Sequence, residues 1–375
     1  MRFTTLILRN LLRRRVRTAL TVLGLAVGIA AVVALLGIAW GFERSLKRIY
    51  EAKGIDLVVV RAGVSNRITS HIDAALADRL RRIPGVREVG GSLVDTISFE
   101  DAGMVGVLVN GWEPGSLLFH GIKVIAGRSL RPGDKRAALL GRDLARSLGK
   151  TVGDELDVEG ERFHVVGIYE AGTPMENGAL VVPLAELQWM MGRPGQVTAL
   201  VVAAERAGDP AAVAALKRRI EAEVPGVAAD DARDYVEQDM MIRLAKAMAW
   251  ATSVVALVIG SVGLLNTMVM AVFERTREVG VLRALGWRRR RVLALILGES
   301  LGLGLAGSLL GTTLGYLGVR ALAAVPSARG YIDPDTPPLA LAAGVLMGVG
   351  LTLLGGLYPA FRGATIDPIE ALRHE

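Results

Sequence analysis

The chain contains no cysteine. That excludes disulfides, thiolate-held metals, iron–sulfur clusters and a lipid anchor on a cysteine, and it leaves the redox compartment open. Histidine is nearly as scarce. His71, His120, His164 and His374 are scattered, with none of the spacings a metal site needs. Aromatic residues make up 5% of the 375 positions, so the mixture of bases and stacking rings that marks a nucleic-acid binder is missing despite a formal net charge of +7. Charge itself is absent from long stretches. Thr18–Trp40, Met248–Phe273 and Pro338–Phe361 hold no charged residue, and Val292–Val319 holds one, Glu299.

Those stretches decide the class. A bilayer core of about 30 Å needs roughly 20 helical residues, and each run is long enough. The predicted fold is an α-helical membrane protein with four transmembrane helices and an extracytoplasmic mixed α/β domain inserted between helices 1 and 2. The expected divisions are an amphipathic cytoplasmic segment (1–17), helix 1 (18–40), the outer domain (41–247), helix 2 (248–273), a connection (274–291), helix 3 (292–322), a short outer loop (323–337), helix 4 (338–361) and a cytoplasmic tail (362–375). The first run is too long for a signal-peptide core, and "AWGFERSL" offers no small-residue cleavage site, so an uncleaved anchor is expected.

Arginine sets the orientation. Arg2, Arg9, Arg13, Arg14, Arg15 and Arg17 precede the first run without an acid among them. The 274–291 connection holds Arg275, Arg277, Arg283 and Arg288 to Arg291, whereas the 323–337 loop has only Arg329 against Asp333 and Asp335. With four spans, both termini and the 274–291 connection are expected in the cytoplasm of a cell (inner) membrane, and the long segment outside.

The outer segment reads as strands and helices. "RLRRIPGV" from Arg79 and "RRIEAEVPGV" from Arg218 close two strand–helix–strand units that can share a split α/β sheet, drawn from 55–118 and 195–235. Between them, 119–194 is expected to form an inserted β-rich subdomain.

Motifs that suggest catalysis lack their context. "GKT" at Gly149–Thr151 has Leu144 where a phosphate loop needs glycine, and it follows a helical pattern. "GESLG" (Gly298–Gly302) and "GLGLAG" (Gly302–Gly307) lie inside one apolar run with no preceding strand. No catalytic residue, bound metal or cofactor is expected in this chain. Gly307, Gly311 and Gly315, and likewise Gly24 and Gly28, recur every four residues as close-packing faces do. Glu299 is read as interfacial, at the cytoplasmic surface within reach of arginines.

"GLLNTMVMAVFERTREVGVLRALGWRRRRVLALILGES" resembles the second-span, connection and third-span signature of ABC-transporter permeases of the MacB and FtsX kind, a family that includes the lipoprotein-releasing permeases. "YPAFRGATIDPIEAL" and "LRNLLRRRVRTALTVLGLAVGIA" resemble the closing and opening segments of that family. The resemblance implies a non-catalytic permease subunit that works as a homo- or heterodimer with an ABC ATPase in trans, where ATP and magnesium are bound. Only seventeen residues precede Thr18, so a fused ATPase is not expected. The expected cargo is of the antibiotic, peptide or lipoprotein class, with a periplasmic adaptor or cargo on the outer domain. An FtsX-like regulator of a cell-wall hydrolase is the alternative; a membrane sensor would need a larger cytoplasmic domain.

The resemblance also makes Glu274–Gly286 a coupling helix. Glu274, Arg275, Arg277 and Glu278 are expected to meet the ATPase through charge. Gly280 and Gly286 are expected to leave room for it, and Leu282 and Leu285 share an apolar face with Val281, nearly opposite Arg283. Arg288–Arg291 are expected against anionic lipid headgroups, and no nucleic acid is expected as a partner.

Overall fold

No proline interrupts the sequence from Arg15 to Lys53, and these residues form one 39-residue helix, α1. Gly54, at φ +66°, stops it. The Gly54 N–H donates to the Glu51 carbonyl at 3.1 Å and the Ile55 N–H to the Tyr50 carbonyl at 3.0 Å, the glycine-dependent closure that satisfies a helix's last carbonyls. The computed structural model describes residues 7, 10, 13–63, 70–325 and 332–366. Most of the 1–17 segment, part of the 323–337 loop and the tail motif beyond Ile366 lie outside those residues.

After α1 come β1 (Leu57–Arg61), β2 (Ile72–Asp73), α2 (Leu76–Leu80), β3 (Val86–Phe99), β4 (Met104–Trp112), β5 (Ile122–Gly127), β6 (Ala137–Gly141), α3 (Arg142–Leu148), β7 (Glu155–Val158), β8 (Glu161–Ala171), α4 (Pro174–Asn177), β9 (Leu180–Pro183), α5 (Leu184–Met190), β10 (Gln196–Val197), β11 (Ala199–Ala204), α6 (Pro210–Glu223), β12 (Val227–Asp231) and α7 (Ala232–Gln238). The chain then enters α8 (Met240–Phe273), α9 (Thr276–Ala284), α10 (Arg289–Ala324) and α11 (Pro338–Thr365). Contacts divide it into two compact units. One holds the chain up to Trp40 with Lys246–Arg320 and the chain from Asp335; the other holds Gly41–Ala245 with Ala321–Pro334.

In the second unit β1–α2–β3 and β11–α6–β12 are the two similar halves, and their strands lie in the order β12-β1-β11-β3. Both helices are followed within four residues by Pro-Gly-Val, with Gly85 and Gly226 at φ +99° and +86°, a conformation that favours glycine. The expected separate subdomain at 119–194 is corrected. Its strands extend the same sheet, in the order β3-β4-β9-β6-β8-β5 with β7 on β8. The join is a parallel pairing of Val109 with Leu180 through Trp112 with Pro183. One apolar core runs under both parts, containing Leu57, Val59 and Val202 as well as Leu140, Phe163 and Leu180. All four residues of β9 are buried, as a strand in mid-sheet requires.

"GKT" proves to be a helix stop. Gly149 sits at φ +63° at the end of α3, and Thr151 begins a turn in which both its N–H and its hydroxyl donate to Asp154.

In the first unit α1, α8, α10 and α11 are each long and apolar enough to cross a membrane; even the 28-residue α11 would reach about 42 Å. The glycine ladder of α10 packs on α1. A Cβ on Gly311 would stand 2.6 Å from the Ala26 carbonyl oxygen, one on Gly315 2.8 Å from that of Ala30, and one on Gly307 2.9 Å from the Leu25 Cβ. Glycines of α11 pack likewise: Gly348 on Ser308 and Gly356 on Ser300. The first-span pair departs from expectation. Gly24 faces open space, and Gly28 makes ordinary contact with Ala256. On α8, Val254, Val255, Val258, Ile259 and Val262 are more than half exposed, the apolar surface a lipid-facing helix presents.

Candidate functional site

The charge-rich connection folds into three pieces. Glu274 and Arg275 form the corner after α8, α9 follows as a nine-residue helix, and Arg289–Arg291 already belong to α10. The coupling helix expected over Glu274–Gly286 is therefore shorter, Thr276–Ala284. Its end is fixed by Gly286, at φ +93°. The Gly286 N–H donates to the Arg283 carbonyl and the Trp287 N–H to the Leu282 carbonyl, both at 3.1 Å. Gly286 thus serves the chain's own backbone, closing the helix where an L side chain would be strained.

Glu299 is the hub. Its carboxylate is nearly buried, and Arg275 donates to it through Nη1 at 3.0 Å and 3.2 Å. Asn10 donates from Nδ2 to Oε1 at 2.6 Å. Arg275 Nη2 reaches back to the Asn10 carbonyl at 3.4 Å. One carboxylate on α10 therefore ties the corner before α9 to the segment preceding α1. Around it, Glu274 pairs with Arg14 and, at 2.7 Å, with Arg17, and Glu278 pairs with Arg13 at 3.5 Å. The outer pairs are solvent-accessible and worth little individually. The Arg275–Glu299 pair, with side chains 13% and 11% exposed, has lost most of its hydration and depends on its partners.

Three of the four charges expected to face a partner, Glu274, Arg275 and Glu278, are thus engaged with their own chain; Arg277 is exposed. Two further expectations change. Gly280 is buried beside Val279, so it makes room for the chain's own packing rather than for a partner. Arg283 is half-buried, and its Nε has no hydrogen-bond partner among the described residues. The shared apolar face also splits. Leu282 is half-buried, whereas Val281 and Leu285 stand 42% and 75% exposed, one turn apart on the outward side. Arg288 to Arg291 are exposed.

Asn10 carries no charge, and in the sequence the N-terminal arginines speak first for orientation. A signal was present. Asn10, Arg13, Arg14 and Arg17 follow the i, i+3, i+4, i+7 spacing of one helical face. Among the described residues no cluster of histidine, aspartate and glutamate could hold a metal ion.

Comparison with known proteins places the chain. The model of the MacB-like periplasmic core domain matches residues 18–223, and that of the FtsX-like permease C-terminal region matches 250–368. An uncharacterized ABC transporter permease of Methanocaldococcus jannaschii is 24% identical over 99% of this chain and 97% of its own length. The uncharacterized ABC transporter permease YknZ of Bacillus subtilis is 24% identical over 98% of each. The macrolide export ATP-binding/permease protein MacB of Bdellovibrio bacteriovorus is 26% identical over 98% of this chain, which spans 61% of that relative. Among solved structures, the periplasmic region of MacB from Actinobacillus actinomycetemcomitans is 13% identical, covering 53% of this chain and 98% of that one, with a TM-score of 0.40.

Proposed function

The chain belongs to the family of the MacB-like periplasmic core domain, as an ABC transporter permease with four membrane-spanning helices, and on that premise we propose that it is driven by a separate ATPase docking on α9. The observation that carries the reading is the outward face of α9. Val281 and Leu285 are exposed on a segment whose arginines favour the cytoplasmic side. Water alone gives no reason to present a leucine there, whereas an apolar anchor inside a charged rim is what a protein partner grips. Relatives of nearly this chain's full extent are named permeases, and the MacB relatives, which extend well beyond it, are named ATP-binding/permease proteins. On this reading ATP hydrolysis is supplied by another polypeptide, which holds the magnesium and nucleotide.

The ion-pair hub explains why force applied to α9 would not be absorbed locally. Arg275 and Glu299 fix α9 to α10, and Arg17 and Asn10 fix the same corner to the start of α1. α1 is one uninterrupted helix from Arg15 to Lys53. Displacing α9 would therefore displace a rod whose last residues belong to the outer domain. To carry the permease from about 1:99 to 99:1 between two states, the ATPase must supply roughly 5.5 kcal/mol of differential binding. Arg288–Arg291 would rest on anionic headgroups. A second permease chain completes the assembly. Both termini and α9 lie inside, and the outer domain handles cargo of the antibiotic, peptide or lipoprotein class.

Site-directed cross-linking tests this. With a photo-activatable thiol reagent on Leu285→Cys in the cysteine-free chain, the ATPase should be trapped. The same reagent on Leu309→Cys, exposed in α10 within a span, should trap none. Equal trapping, or none at Leu285, removes the reading.

A further inference from the structure

The last residue of α1 is a buried lysine. Lys53 is 2% exposed, and none of its three donors is wasted. Nζ donates to the Leu118 carbonyl at 2.6 Å and the His120 carbonyl at 3.2 Å, and it pairs with Glu176 Oε1 at 3.0 Å. Its charge also lies 4.7 Å from the centre of the Trp112 ring. The other oxygen of Glu176 accepts from the Thr173 hydroxyl at 3.1 Å. The turn carrying Glu176 is itself held. Tyr169 donates its hydroxyl to the Glu176 carbonyl at 2.6 Å, and the Asn177 side chain bonds both the N–H and the carbonyl of Ala171.

These partners are not the strand that α1 runs into. From Lys53 the chain passes through Gly54 and Ile55 to β1, in the split half of the sheet. Leu118 and His120 lie in the connection from β4 to β5, and Glu176 lies in α4, between β8 and β9. That connection is also pressed against the helix. A Cβ on Gly121, at φ +77°, would stand 3.1 Å from the Ala52 Cβ. Two further polar ties of the last turns of α1, Glu51 with Arg233 and Lys47 with Glu237, both reach α7 and leave at least one partner half exposed, so they hold weakly. Leu46 and Tyr50 also seat this end of α1 in an apolar cluster with Leu118, Leu139 and Val236, but such packing is non-directional and leaves a pivot at Gly54. A second fastening removes that freedom.

We propose that Lys53 is a positioning residue, the joint by which α1 grips the inserted strands β5–β9, so that displacement of α1 reaches them directly and not only through β1. The proposal rests on the reading that an ATPase displaces α1. Burial of an ammonium is costly unless every partner is in place, and a simple helix end needs none; a short polar residue or glycine would close α1 equally well.

The test uses the full chain with its ATPase in lipid nanodiscs and pairs of spin labels on introduced cysteines. Labels at Arg44 and Arg162, exposed on α1 and β8, report helix against insert. Labels at Arg44 and Arg218, exposed on α1 and α6, report helix against the split half. In the parent both pairs should give one narrow distance with and without ATP, while the spectrum of Arg44 itself changes on ATP addition. In Lys53→Met the Arg44–Arg162 distance should broaden and gain a second maximum on ATP addition, with Arg44–Arg218 unchanged. Narrow distances for both pairs in Lys53→Met overturn the joint, and so does equal broadening of both, which signals general loosening. If Lys53→Met does not fold, Glu176→Gln keeps the shape but removes the charge, and the same selective broadening is expected to a smaller degree; unchanged distances there also overturn it. An Arg44 spectrum indifferent to ATP in the parent would instead sink the reading beneath, and the joint with it.

Discussion

Glu299, inside the third apolar run, receives two hydrogen bonds from the guanidinium of Arg275, twenty-four residues earlier, at 3.0 Å and 3.2 Å. A carboxylate this buried is costly, and the arginine is what makes it tolerable. Removing one partner strands the other. Arg275→Ala should lower stability by about 3–5 kcal/mol, read as unfolding of the detergent-solubilised protein. The apolar pair Arg275→Met with Glu299→Leu should recover most of that loss. If Arg275→Ala were as stable as the parent, Glu299 would be solvated and the hub idle.

The glycine contacts divide cleanly. At Gly311 a side chain would meet the Ala26 backbone and Ile29, whereas Gly24 has nothing within 4 Å. Gly311→Val should cost about 1–3 kcal/mol by overpacking, and Gly24→Val should change stability by less than about 0.5 kcal/mol. Thermal unfolding of both in the same detergent decides the matter, and the reverse order would mean that α10 does not pack on α1 through this ladder.

Acid should act on the outer domain through Asp134. Its carboxylate receives two bonds from Arg128, at 2.6 Å and 3.0 Å, and one from the Arg131 N–H at 2.9 Å. The Arg128 guanidinium above all holds its carboxyl below the ordinary aspartate range. For a carboxylate depressed in the folded state, the stabilisation is present above the unfolded value and is lost as pH falls through the folded one. Asp134→Asn should therefore destabilise more at pH 7 than below about pH 4. Denaturant titrations at two pH values check this; a deficit that grows in acid would contradict it.

Orientation is tested by thiol labelling. A membrane-impermeant maleimide applied to intact cells should label Arg162→Cys and spare Arg277→Cys. Labelling of the second alone would invert the topology inferred from the arginines.

Much of this was legible in the sequence because it is local. Uncharged runs of helical length declare the spans, and the repeated Pro-Gly-Val marks the two halves of the split sheet. What failed was non-local or a matter of helical phase. Nothing in "MVGVLVNGW" says that its free edge will take Leu180–Pro183 as a parallel neighbour, so the insert looked separate. In a nine-residue helix the buried side depends on where the helix begins, and the start at Thr276 turned Gly280 inward. Asn10 needed its partner, Glu299, almost three hundred residues away, before it meant anything.

The central claim is that α9 is where an ATPase takes hold, and Leu285→Glu tests it most directly. The residue is 75% exposed, so the substitution should leave folding and membrane insertion intact. Co-purification of the ATPase with the permease, and the ATP hydrolysis of the complex, should both fall at least about tenfold, the equivalent of losing roughly 1.4 kcal/mol at the contact. Full ATPase recovery with undiminished hydrolysis would show that the arginine-rich connection only orients the chain in the membrane.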